Sequence, residues 1–372
     1  MSEVLEAERV APPARGPRRS WPTIAAVVVL IVVLVLFPVF AGVAYLKAGQ
    51  YVLIGVVGAV GLTLLVGQAG QLSLAHPFFL LVGAVSYAVL AGEPGESGDL
   101  VGLGLPPLLA VVGAVAICAL GGLAFSPVSG RLRGIYLGVA SLSLVFLGLY
   151  LGQSLDMLSG GTSTGRTPPT FELFGFRFAN SDPAPTILGV AIQKQQRLWY
   201  LFLVLAAGAY LLARGAVRSR VGRAWRAVRD NEAAATAMGV DVARAKAQAF
   251  TVSSAFAGLA GVMTALWLDL VKPDENEFTG TYSITVAIAF LAMVLIGGLG
   301  SIPGAVAGAV LVNGLPQLLT LGATEFGWSI GTLSPVLISA FVYGAAIVLV
   351  VLFEPGGLAA VGRRLTSRNG DR

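Results

Sequence analysis

The chain has 372 residues, of which 56% are hydrophobic and only 12% charged, and its mean hydropathy is +0.83. That balance excludes a soluble globular domain and marks an integral membrane protein. A formal net charge of +5 and one cysteine exclude a disulfide framework, and because no stacking aromatics or recognition helix accompany the basic residues, nucleic acid is excluded as a partner.

Ten apolar runs reach the roughly 17–25 residues that a helix needs to cross a bilayer. They are 22–44, 50–66, 73–91, 105–126, 134–153, 198–213, 248–268, 282–298, 302–321 and 334–353. Arg15, Arg18 and Arg19 precede the first run, whose apolar core is too long for a cleaved signal peptide, so a retained span is expected. Between the second and third lies "GQAGQLSLAHP", where Pro77 has no N–H to give the Ser73 carbonyl. A discontinuous helix is predicted there. Such breaks are tolerated where they line a cavity, which makes Gln68, Gln71, Ser73 and His76 candidates for a transport path. His76, the sole histidine, reads first as a neutral side chain bonded within the bundle and second as a path-lining group. Cys118, in the fourth run, reads as a small buried hydrophobe. Further on, "GGLGSIPG" joins the eighth and ninth runs and places Gly300, Gly304 and Gly308 at four-residue spacing, a small face for close helix packing. These glycines are no phosphate loop, since no strand precedes them and no Lys follows.

Lys and Arg favour the cytoplasmic side of short loops. With the amino terminus inside, the cytoplasmic loops hold Arg131 and Arg133, the block Arg214 to Lys246, and Arg363, Arg364 and Arg368. The outer loops hold Glu93, Glu96, Asp99, Asp269, Asp274, Glu275, Glu277 and Glu325. Ten spans with both termini cytoplasmic satisfy every loop. The expected organisation is a cytoplasmic tail over 1–21, a transmembrane domain over 22–353 and a second tail over 354–372.

Ionisable groups inside the spans would mark ion coupling, and there are almost none: Asp156, Asp269 and Glu354 fall at span ends. No His, Cys and acidic cluster suggests a metal, no Ser, His and Asp set suggests hydrolysis, and no cofactor is implied. No GxxxxGK[ST] element exists, so this chain is not expected to be its own ATPase.

The largest cytoplasmic loop, 214–247, carries eight basic residues (Arg214, Arg218, Arg220, Arg223, Arg226, Arg229, Arg244 and Lys246) against Asp230, Glu232 and Asp241. Asp230 or Asn231 is placed to cap a short helix through "EAAATAM", Gly239 to end it in a left-handed conformation, and Asp241 to cap the helix that follows. Ala233, Ala234, Ala235 and Ala237 would leave a shallow surface, suited to a partner's groove or to a membrane-surface helix on anionic lipid.

The segment "GRAWRAVRDNEAAATAMGVDVARAKAQAFTVSSAFAGLAGVMTAL" resembles the cytoplasmic EAA loop and following helix of LivM-type permeases from branched-chain amino acid ABC transporters. The stretches "VGQAGQLSLAHPFFLLVGAVSYAVL", "RLRGIYLGVASLSL", "MVLIGGLGSIPGAVAGAVLV" and "VYGAAIVLVVLFEPGGLAAV" resemble family motifs in the same order. The resemblance spans roughly residues 45–360. Departures are Ala75 where the family usually has Gly, the exchanged order of Pro303 and Gly304, and Ser163 and Thr164 where it commonly reads TGGTNG. The resemblance implies an all-helical inner-membrane permease in which Glu232, Ala233, Ala234 and Gly239 couple to an ATP-hydrolysing subunit. It further implies a LivH-type permease partner, a periplasmic or surface solute-binding protein, and a branched-chain or other small apolar amino acid as cargo. Urea permeases are relatives, so urea or a short-chain amide is the alternative cargo; a stand-alone channel or secondary carrier is the alternative of another class.

Overall fold

A computed structural model describes residues 21–94, 100–180, 186–187, 190–273 and 280–326, with scattered positions between 341 and 360. Residues 1–41 form one compact unit and residues 42–372 another. In the first, the described element is α1 (Trp21–Phe40), with Pro38 in its last turn.

The second unit is a helical bundle. α2 (Val43–Leu62) continues without interruption into a π-helical segment, Thr63–Gln68, and the two together span 26 residues. Gly55, Gly58 and Gly61 recur along α2 because each faces a large side chain of a neighbouring element, namely Asn313, Phe290 and Phe256. Small residues of this kind are what let helices in lipid approach closely. After the non-helical segment 69–75 come α3 (His76–Ala91), α4 (Pro107–Arg131) and α5 (Ile135–Ser154). Pro77 and Pro107 each sit in a first turn, where no intrahelical N–H partner is lost.

A connection follows with α6 (Asp156–Ser159) and two antiparallel ribbons, β1 (Glu172–Leu173) with β2 (Phe176–Arg177) and β3 (Thr186–Ile187) with β4 (Val190–Ala191). Next are α7 (Lys194–Arg218), α8 (Arg220–Asp230), α9 (Glu232–Ala237) and α10 (Val242–Leu268). Beyond them stand α11 (Ile284–Gly297), α12 (Ile302–Ala309), a π-helical Val310–Gly314, and α13 (Leu315–Phe326). Among the described residues the fold is therefore all-α, apart from the two short ribbons.

α10 is the central helix. Ala257, Ala260, Val262, Met263 and Ala265 are fully buried, so it is enclosed on all sides, packing on α2, α3 and α4. Small residues permit this. A Cβ on Gly261 would run into the Leu80 carbonyl of α3, one on Gly258 into Cys118 of α4, and one on Gly83 into the Gly258 carbonyl.

Among the described residues six helices are long and apolar enough to cross a membrane, and three shorter apolar ones, Ala25–Phe40, His76–Ala91 and Ile284–Gly297, bring the match to nine of the ten predicted spans. The tenth, 334–353, lies almost wholly outside the described residues, as do Arg15, Arg18, Arg19, Glu96, Asp99, Asp274, Glu275, Glu277, Glu354, Arg363, Arg364 and Arg368. Two boundaries differ from expectation. The first connection falls at 41–42 rather than between 44 and 50, and α7 and α10 extend into the basic loop, leaving only short turns around α8 and α9.

The connections sort to opposite ends of the bundle in the groups that their charge predicts. At the basic end, Arg133 meets Glu232 and Gln68 meets Gly300. At the other end, Arg166 and Val271 form a β-bridge, Lys194 pairs with Asp269, and Tyr45 donates to Glu325.

Candidate functional site

The basic end is built from caps. Ser219 accepts hydrogen bonds from Val221 and Gly222 and starts α8, which buries Gly222, Trp225 and Val228 along one face. Asn231, not Asp230, caps α9: its Oδ1 accepts from the Ala234 N–H at 3.0 Å. The far end of α9 is closed by two bonds, Gly239 N–H to Thr236 O and Val240 N–H to Ala235 O, both 2.9 Å. This is a Schellman motif with Gly239 at its left-handed position, φ +80°. Asp241 then accepts from Arg244 N–H at 2.9 Å and starts α10.

The alanines of α9 divide. Ala233, Ala234 and Ala237 are exposed together with Thr236, whereas Ala235 is 3% exposed and packs inward, so the shallow face holds three of the four alanines. Met238, 84% exposed, stands at its edge, an adaptable apolar side chain. Glu232 turns toward the bundle. Its Oε2 lies 2.7 Å from Arg133 Nη2 and its Oε1 2.8 Å from Lys246 Nζ.

Three of the basic residues that sequence assigns to a solvated loop instead reach inward. Arg229 Nη1 donates to the Gly67 carbonyl at 2.7 Å, and Arg226 to Val217 O at 3.2 Å and to Gln68 Oε1 at 3.4 Å. The Lys246 side chain is only 5% exposed. Gly70 has φ +70°, and a Cβ there would stand 2.7 Å from Arg229 Cγ, so both the turn and the close passage of Arg229 require glycine.

The four polar residues of the break are all buried. Gln68 Nε2 donates to Gly300 O at 2.6 Å and Gln71 Nε2 to Lys246 O at 3.1 Å. Ser73 Oγ accepts from Ala75 N–H at 3.3 Å, while Ser141 of α5 accepts from Leu74 N–H at 2.8 Å. Non-helical backbone inside the bundle thus finds side-chain partners in place of helical ones. His76 hydrogen-bonds the backbone of Gly58, its ring lies 5.5 Å from Phe290, and its Nε2 has no protein partner.

Gly304 and Gly308 share one face of α12, where any Cβ would run into the backbone of Gly297 and Met293. Gly300 is not on that face. It precedes α12 in a turn at φ +79° and abuts Gly67, one backbone against another. At the opposite end, Ser163 and Thr164 line a groove of about 390 Å³ with Gln153, Asp156 and Gly160. Beside it Arg166, 5% exposed, donates to the Leu158 carbonyl at 3.3 Å, and burial lowers its pKa.

Arg226, Arg229 and Arg133 carry no sequence signal that separates them from solvated basic residues; only their contacts do. The glycines of α3 and α10 were legible as small residues but not as a matched set.

Comparison with known proteins follows the same lines. The chain is 29% identical over 353 residues to the high-affinity branched-chain amino acid transport system permease protein LivM of Escherichia coli, covering 92% of this chain and 76% of that one. It is 27% identical over 310 residues to the permease BraD of Pseudomonas aeruginosa, covering 81% and 89%. With the permease LivH of Escherichia coli it shares 25% over 310 residues, again 81% and 89%. No solved structure matches. The profile of the family described as "Branched-chain amino acid transport system / permease component" matches residues 46–351. Because that match takes in nearly all of the described bundle from α2 to α13, the chain belongs to the family of branched-chain amino acid transport system permease components.

Proposed function

We propose that the chain is a transmembrane subunit of an ATP-binding cassette importer of the bacterial inner membrane, with both termini and the α8–α9 corner cytoplasmic. It pairs with a LivH-type permease, receives solute from a periplasmic or surface binding protein, and is driven by two ATP-hydrolysing subunits. The observation that carries this reading is α9 itself. It is a capped helix whose exposed face is Ala233, Ala234, Thr236 and Ala237, with the Thr236 hydroxyl bonded to the Glu232 carbonyl, while its carboxylate at Glu232 is already paired from within. A groove on a moving partner closes readily over a face of short side chains, because each immobilised long side chain costs entropy on association. The Schellman cap at Gly239 holds the helix in place for such docking.

Branched-chain or other small apolar amino acids are the proposed cargo, by similarity to relatives so named. In the break, Gln68 and Gln71 use their amide N–H groups on Gly300 and Lys246. His76 Nε2 and Gln71 Oε1, both buried without a protein partner, support assigning these two residues to the path of solute or water.

The test is ATP hydrolysis by the purified complex with liganded binding protein. Ala233→Arg fills the proposed cleft and buries an unpaired charge there, which costs several kcal/mol, so stimulation and import should both be lost while membrane insertion persists. Normal stimulation would mean that α9 is a surface helix on lipid. Leucine uptake set against urea uptake by the unmutated complex decides the cargo.

A further inference from the structure

Lys246 joins the two halves of the site. It lies in the second turn of α10 and is 4% exposed. Its ammonium is 2.8 Å from Glu232 Oε1, on α9, and its backbone carbonyl accepts from Gln71 Nε2, in the non-helical break, at 3.1 Å. An ammonium taken out of water is costly unless paired, so a buried lysine holds its carboxylate partner firmly. Glu232 is fixed from the opposite side by Arg133, on the α4–α5 turn, at 2.7 Å. A second tie runs in parallel, from Arg229 of α8 to the Gly67 carbonyl, and Gln68 carries it on to Gly300. The α8–α9 corner is therefore bonded directly to Gly67 and Gln68, through Arg229 and Arg226, and by way of Lys246 to Gln71, the residues that flank Ala69 and Gly70, where helical bonding stops.

The geometry points to Lys246 as a positioning residue that converts movement of α9 into movement of the break. Its side chain springs from the same helical turn as its carbonyl, so a shift of Glu232 larger than the lysine stem can follow by rotation draws the N-terminal turns of α10, and with them the Gln71 amide. Coupling between sites travels through packed elements joined in this way. This inference rests on the docking of α9 proposed above and adds the route by which docking reaches the membrane interior. Glu232, on this account, is an internal anchor rather than a ligand for the partner.

The experiment uses the complete complex in proteoliposomes with leucine-loaded binding protein, and reads solute imported per ATP hydrolysed. A brace that only supports the fold would change the amount of active complex, lowering both rates together and leaving that ratio unmoved. Lys246→Met is expected to assemble and hydrolyse ATP while import per ATP hydrolysed falls on the order of 2- to 30-fold, with Lys246→Gln behaving alike and Lys246→Arg restoring the ratio. An unchanged ratio in Lys246→Met overturns the proposal. So does failure of both uncharged variants to assemble while Lys246→Arg assembles normally, because Lys246 is then a brace alone. If instead Ala233→Arg leaves stimulation normal, it is the docking of α9 that fails, and the two failures are told apart by that variant.

Discussion

Substitution of Gly239 tests the conformation of the docking helix separately from its surface. The residue sits at φ +80°, and a Cβ built on it meets nothing within 4 Å. No steric clash contributes, so the cost of a side chain is the cost of the left-handed backbone alone. For Gly239→Ala that is about 1–2 kcal/mol, which lowers the ratio of formed to open turn by a factor of about 5–30. A β-branched side chain is more strained still at positive φ, while Asn tolerates the region several times better than most residues. The expected order of function is therefore Gly, then Asn, then Ala, then Val. The two bonds at stake, Gly239 N–H to Thr236 O and Val240 N–H to Ala235 O, hold the exposed alanines in register with Asp241 and α10. The assay is stimulation of ATP hydrolysis in the purified complex, read with import on the same preparations. Normal stimulation in Gly239→Val would show that the turn need not be formed. Equal loss in Gly239→Asn and Gly239→Val would show that side-chain bulk at the partner, not conformation here, decides.

Two other outcomes follow from the packing and the topology. Gly261→Val should separate α10 from α3, because its Cβ runs into the Leu80 carbonyl, at a cost of at least about 1–3 kcal/mol; an unchanged thermal midpoint for the detergent-solubilised complex would refute the close approach. Phe174→Cys, at a site 96% exposed in the ribbon connection, should react with an impermeant thiol reagent on intact cells, and Arg220→Cys only after the membrane is opened, with buried Cys118 silent in both; labelling of Arg220→Cys in intact cells would reverse the orientation.

What the sequence disclosed and what it withheld separate along a physical line. Local chemistry was legible. Pro77 and the two glycines of "GQAGQ" announce a broken helix, Asn231 and Asp241 are capping residues, and Gly239 is a stop, and the structure places each in that conformation. Such signals depend on a residue and its near neighbours, so one sequence suffices. Apolar length likewise located nine spans, because bilayer thickness fixes it. What one sequence does not carry is which distant residues meet. Arg133 and Glu232 are 99 positions apart, and Gln71 and Lys246 are 175 apart. By composition Arg226, Arg229 and Lys246 belong with the solvated cations of a positive-inside loop, yet Arg229 and Arg226 reach the Gly67 carbonyl and the Gln68 amide beside the break, and Lys246 is buried against Glu232. The same logic separates Gly300 from Gly304 and Gly308. Four-residue spacing is a helical signature only where the helix has begun, and Ser301 accepts from Gly304 N–H to begin it one residue after Gly300. Gly300 is thereby free to take a left-handed turn against Gly67, and what looked like a packing stripe is a seam between the ninth span and the break. The basic loop, the glycine turn and the broken helix, which read as three unrelated motifs along the chain, are in the folded protein one bonded corner.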